Sequence, residues 1–182
     1  MAVIWEFWVE GHDTAETSAL LSHFEGLVTP RLGGGQIAWH VVSKEPTSQG
    51  LSIWSREAPQ GHAATVADAV TLTEAGLRLF AHLKSGPPFR FAHAGWEASL
   101  VTSAELADYL TVTSAGSWLS MACALSEAQW VALGSPRHFI PFADKHVWYP
   151  YWGEKYAPLG ALDQIDLRDL CRSLFPMNQF KY

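Results

Sequence analysis

Nine tryptophans in 182 residues limit what this chain can fold into. Each carries a large apolar surface and one N–H that needs a partner when buried. A fold for this sequence must supply a core wide enough for several of them. The remainder can stand where another protein docks. The material for such a core is present: 48 % of residues are hydrophobic and 16 % charged, against roughly 25 % charged in an average domain. The length suits a single domain over residues 1–182, or two small halves packed as one.

The formal net charge is -6. Nucleic-acid binding needs a basic face, and the Lys and Arg residues are scattered singly. The densest basic stretch, Arg168 to Arg172, is broken by Asp169. An acidic balance favours basic partners instead. Cys123 and Cys171 are the only cysteines and lie in no CxxC motif, so no disulfide framework is expected. Cys123 sits in the apolar run Trp118 to Leu125 and reads as a buried thiol. The first residues lack a positive n-region and carry Glu6 within an apolar stretch, unlike a signal peptide. The charge-free run Tyr109 to Ser126 is interrupted by Ser, Thr and Gly116, unlike a membrane span. The expectation is a cytoplasmic protein without a membrane segment.

Val3 to Val9 reads as a strand with apolar residues on both faces, which places it centrally in a sheet. Asp13 or Thr14 caps a helix with Leu20, Leu21, Phe24 and Leu27 as its stripe. Pro30 and Gly33-Gly34-Gly35 end it. Gln36 to Ser43 and Leu51 to Arg56 read as strands. Thr71 to Glu74 has capping-box spacing, and the helix it opens runs to about Lys84. Ser85-Gly86-Pro87-Pro88 is the clearest break in the chain. Phe89 to Ser99 then reads as a strand, and Thr102 to Leu110 as a helix. Ser117 to Leu125 reads as a strand, with a buried helix as the alternative. A short helical piece covers Trp130 to Leu133. His138 to Phe142 reads as a strand that Pro141 confines to an edge. Val147 to Trp152 reads as another, and Leu162 to Phe175 is the last helix, stopped by Pro176.

The fold class expected is α+β, with a mixed or antiparallel sheet and about four helices. Echoes such as Phe7-x-x-x-Gly11 and Phe91-x-x-x-Gly95 suggest a pseudo-duplicated β-α-β-β-α unit, with halves 1–86 and 87–182.

Phosphate-binding, zinc-protease, nucleophile-elbow and calcium-loop motifs are all missing from the sequence. Gly33-Gly34-Gly35 lies between a helix and a strand, the reverse of a phosphate cradle, and reads as a connector. His138, Asp144 and His146 are close in sequence. If Asp144-Lys145 is a two-residue hairpin turn, Ala143 faces His146, and His138 stands too far along to share a metal. His12 and Glu16 can share a helix face at i, i+4 spacing, with His40 or His93 as distant additions. Cys171 lies between Arg168 and Arg172 and is a generic nucleophile candidate. Glu6, Glu10 and Glu97 lie in or beside apolar strands. They are candidates for acid–base work, or simply point outward or pair with an Arg.

The strongest local feature is Asp144 to Tyr156, which packs five aromatic residues into Trp148 to Tyr156. Pro150 argues for an edge strand or a loop. Alternation cannot bury Trp148, Tyr149, Tyr151 and Trp152 on one face, so some rings are expected at the surface, where Tyr and Trp dominate binding energetics. The alternative is a segment folded back to plug the end of the core. Carbohydrate stacking is a third use of the same rings. The function expected is a non-catalytic protein-binding module, most concretely an acidic immunity or inhibitor protein whose partner carries a basic surface. Its anchors are Trp148, Tyr149, Tyr151 and Trp152, with Asp144 and Glu154 as a charged rim. Self-association through the same segment is a variant of this reading. The alternative is a small enzyme with a His/carboxylate site drawn from His12, Glu16, His40 and His93, with or without a metal. No cofactor is expected on the first reading.

Overall fold

The computed structural model describes residues 4–44, 49–59, 63–106, 122–154, 159 and 163–176. Among these the chain forms an α+β fold. Its main sheet has seven strands: β1 (Trp5–Glu10), β4 (His40–Ser43), β5 (Gly50–Trp54), β6 (Phe91–Trp96), β7 (Cys123–Ser126), β8 (Ile140–Ala143) and β9 (His146–Tyr149). Their order is β4-β5-β1-β6-β7-β9-β8, and every neighbouring pair is antiparallel. A separate two-stranded ribbon joins β2 (Val28–Pro30) to β3 (Gln36–Ala38). Among the described residues four α-helices accompany them: α1 (Thr14–Phe24), α2 (Val66–Lys84), α3 (Glu127–Ala132) and α4 (Ile165–Leu174).

All six residues of β1 are buried, as expected of a central strand with apolar residues on both sides. Trp5, Phe7 and Val9 enter the larger core, and Trp8 enters a second cluster on the opposite face. The larger core lies under α1, α2 and α4. It gathers Leu20 and Phe24 of α1, Leu72, Leu79, Phe80 and Leu83 of α2, and Leu167, Leu170 and Cys171 of α4. The strands beneath them contribute small residues, Ala92, Ala94 and Ala124. These leave room for Phe80, Phe142, Trp148 and Phe175, which pack ring against ring. The second face is covered by the segment after β6 and by the short helix α3.

Asp13 caps α1 by accepting from the Glu16 amide. The capping box of α2 is not at Thr71 but one and a half turns earlier. Thr65 accepts from the Asp68 amide, and Asp68 accepts from that of Thr65. The helix therefore gains the Ala-rich stretch before Thr71, whose side chain bonds back to the Ala67 carbonyl within the helix. The expected strand over 36–43 is divided at Trp39, whose indole donates to the Thr29 hydroxyl beneath the ribbon. Ala143 pairs with His146 across the turn Asp144-Lys145, as the hairpin reading predicted, and Lys145 takes the left-handed conformation there. Pro141 lies in β8, which is indeed an edge strand and carries a register irregularity beside the proline. The strands that open the two candidate halves, β1 and β6, lie side by side. The other neighbour of β1 is β5, the last strand of its half, whereas that of β6 is β7, the next strand in sequence. The expected helix residues 107–110, the expected strand residues 117–121 and residues 155–158 lie outside the described residues.

Candidate functional site

The aromatic segment is placed by β9, which lies between β7 and β8 and not at an edge. Pro150 follows the last strand residue, so it removes no ladder hydrogen bond. Alternation then divides the rings between the two faces. Trp148 enters the larger core and is fully buried, at 0 % exposure. Tyr149, at 8 %, faces the second cluster, where its ring meets Phe139. Tyr151, at 5 %, turns back into the larger core. The expectation of exposed rings is thus corrected for these three residues. Both sheet faces have cover, so neither orientation of the strand leads to solvent.

Tyr151 is seated against α2. Its ring occupies the space above Gly76, where a Cβ would stand 2.4 Å from the ring. Its hydroxyl donates to the Glu154 carboxylate at 2.6 Å. The Trp5 indole donates to the same oxygen at 2.9 Å, and the Glu154 amide donates to the Thr73 hydroxyl. Glu154 therefore does not stand as an outward rim. It is half-buried and collects the polar ends of two core aromatics. Burial, and then the Glu154 charge, push the Tyr151 phenol well above its ordinary range. Residues 146–151 are thus built into the sheet and the cores on its two faces. Asp144 alone of the six expected residues is exposed, at the hairpin tip, and Trp152 is half-buried against the second cluster.

The second face holds Glu6 and Glu10, which neither point outward nor pair with an Arg as the sequence allowed. Glu6, Trp8 and Glu10 project there from β1, and all three are buried. Glu6 accepts from the Ser99 amide at 2.7 Å and from the Ser52 hydroxyl. Glu10 accepts from the Ser103 amide at 3.0 Å and from the Trp8 indole at 2.8 Å. The two carboxylates thus clasp the covering segment 98–106 by its backbone. The Gln129 side chain donates to the Ser103 carbonyl and ties α3 to the same segment. His93 pairs with Trp8 on one side and Cys123 on the other. Its Nε2 donates to the Ala98 carbonyl, since a carbonyl only accepts. Burial lowers the His93 pKa to about 4 and raises the Cys123 thiol to about 12. At neutral pH both are uncharged, and the thiolate that nucleophilic chemistry requires is not formed.

The histidines of the alternative reading do not converge. His12 Nδ1 lies 2.7 Å from the Glu16 carboxylate, the i, i+4 contact expected. His40 packs against Trp54 at the β4 end of the sheet, and His93 is buried at its centre. Among the described residues no group of three His, Cys, Asp or Glu side chains is arranged to hold a metal ion. No helix among them is long and apolar enough to cross a membrane.

Around the second cluster stand Trp130, Phe139 and Trp152, each half-buried, with Val131 exposed beside them on α3. The Glu127 amide donates to the Lys145 carbonyl, which brings the start of α3 against the hairpin tip. Comparison with protein-family models, curated proteins and solved structures found no match to this chain.

Proposed function

We propose that this protein is a non-catalytic binding protein of the immunity or inhibitor type, taking a partner with a basic surface. The observation that carries the reading is the half-buried aromatic border of the second face, Trp130, Phe139 and Trp152, beside Tyr149. Aromatic rings packed at the margin of a folded core, part covered and part open, are the kind of side chain on which interface energy concentrates. Exposed Glu127 and Asp144 lie next to this border, and the overall charge of -6 favours approach of a basic partner. Polar groups of the kind enzymes use are here occupied in holding the fold: Glu6 and Glu10 grip backbone amides, and Cys123 and His93 are kept neutral.

The test is affinity capture from host lysate with the wild type and a Trp130→Ala/Trp152→Ala variant of matched thermal stability. The captured protein is then purified and titrated against both. The reading expects a stoichiometric complex, weakened about tenfold or more in the variant, as loss of an aromatic anchor requires. Its association rate should fall with added salt. A complex of equal affinity with both proteins, or one indifferent to salt, rejects the proposed surface. Self-association is supported by a different observation. β4 ends the sheet and exposes Val42, whereas the opposite edge is blunted by Pro141. Sedimentation equilibrium of the wild type beside Val42→Lys tests it, a dimer lost in the variant being the result expected.

A further inference from the structure

The C-terminal ends of α1 and α2 meet at two histidines that no part of the binding reading uses. His23 lies in the last turn of α1 and His82 in the last turn of α2. Their rings stack in parallel, 4.0 Å between centroids and 15° between planes. The hydrogen bonds between them are reciprocal. His23 Nε2 lies 3.0 Å from the His82 carbonyl, and His82 Nε2 lies 3.0 Å from the His23 carbonyl. Because each carbonyl only accepts, each Nε2 carries its proton, and both rings in the neutral state are the same tautomer. A further proton must go to Nδ1. Phe24 packs edge-on against both rings, at 5.3 and 5.1 Å. Gly86 makes room for them: a Cβ there would stand 2.7 Å from His23 Nε2.

We propose that the stacked pair His23–His82 is a proton-operated latch, which joins the ends of α1 and α2 while the rings are neutral and loosens when both are protonated. The first proton places a cation against a neutral ring at 4.0 Å. A second proton would set two cations face to face in a half-buried site, so the pair titrates in two coupled steps. The other groups at the junction do not offset that charge. Among the described residues neither ring has a carboxylate in an ion pair. Lys84, two residues beyond His82, carries its ammonium over the Phe175 ring, and Glu25, two beyond His23, is exposed past the end of α1. Ser85 donates to the His82 carbonyl and carries no charge. Burial, opposed in part by the bond to the His23 carbonyl, lowers the His82 pKa. A lowered folded-state value means that the stabilisation is complete above about 6.5 and is lost as the pH falls. Release would free the passage from α1 into the β2–β3 ribbon, because Leu27 donates to Phe24 directly after the latch.

The experiment is hydrogen exchange read by mass spectrometry at pH 7 and pH 5, corrected for intrinsic rates. The wild type is compared with His23→Gln/His82→Gln, in which amides keep donors but do not titrate. NMR titration of the histidine rings runs alongside. In the wild type, peptides covering the ends of α1 and α2 should lose protection about tenfold on acidification, and two rings should titrate in linked steps. In the variant those peptides should lose no more protection on acidification than the rest of the chain, the common loss being that set by His93. His93 also titrates, but it lies on the other face and is retained in the variant, so the difference between the proteins isolates the pair. If the double variant does not fold, His23→Gln alone must still abolish the linkage seen at His82. Independent titration of the two rings, or equal acid-induced exchange in wild type and variant, overturns the latch.

Discussion

On one side of the sheet Phe80, Phe142, Trp148 and Phe175 meet ring against ring beneath three helices. On the other, Trp8 lies between two buried glutamates whose carboxylates hold the backbone of a covering segment. The first side is held by apolar volume, which is non-directional and large. The second is held by directed bonds, which fix where a thin cover sits. The side that holds Glu6, Glu10 and His93 also carries the half-open aromatic border. Stability is therefore expected to depend chiefly on the first side, and the shape presented to a partner on the second.

The largest effect should follow removal of volume from the helical side. Trp148→Ala deletes a fully buried ring in contact with Phe80, Phe142 and Phe175. It should cost about 3–5 kcal/mol, read as a shift in the urea midpoint with little change in slope. A cost below about 1 kcal/mol would show that the ring is not a core element and would reopen its role as a surface anchor.

Glu10→Gln addresses the clasp. The carboxylate accepts from the Trp8 indole and the Ser103 amide, so the substitution should cost about 1.5–3 kcal/mol, the value of charged hydrogen bonds. The loss should be local: amide protection should fall in residues 99–106 while the helical side keeps its own. A uniform loss across both sides would mean that the two faces unfold as one unit and that the division drawn here has no energetic content.

These carboxylates mark the limit of what the sequence discloses. The alternation of β1 and its central place were legible because six residues carry that information themselves. The hairpin at Asp144-Lys145 was legible for the same reason. The role of Glu6 and Glu10 was not, since the amides they hold lie 93 residues away and backbone donors leave no mark in a sequence. The aromatic segment failed differently. Pro150 signalled an edge, but the strand ends at Tyr149, and whether rings on either face meet solvent depends on what covers each face. Gly76 could have hinted at this. A glycine inside the long helix α2 costs about 1 kcal/mol relative to alanine, and its place beneath Tyr151 accounts for it.

Acid should act on the second side through His93. Its folded-state pKa of about 4 lies below the unfolded value near 6.5, so the neutral ring stabilises the protein fully above pH 6.5. That contribution declines as the pH falls from 6.5 toward 4, by about 2 kcal/mol between pH 7 and pH 5. Urea unfolding across this range should show the slope, and His93→Gln should flatten most of it, leaving the part due to His82. A slope unchanged in His93→Gln would place the acid sensitivity elsewhere.

The smallest effect is the most discriminating. Ser99 meets Glu6 through its backbone amide. If the clasp works through the main chain, Ser99→Ala leaves that bond in place and should change stability by less than about 0.5 kcal/mol. Glu6→Gln, which alters the acceptor, should cost several times more and should disturb the same residues in hydrogen exchange. The pair separates two accounts of the second face. Were Ser99→Ala as costly as Glu6→Gln, the cover would be held by the identity of its own side chains, and its sequence could not vary. With the costs ordered as expected, the cover is held by its backbone, and its outward side chains are left free to suit a partner.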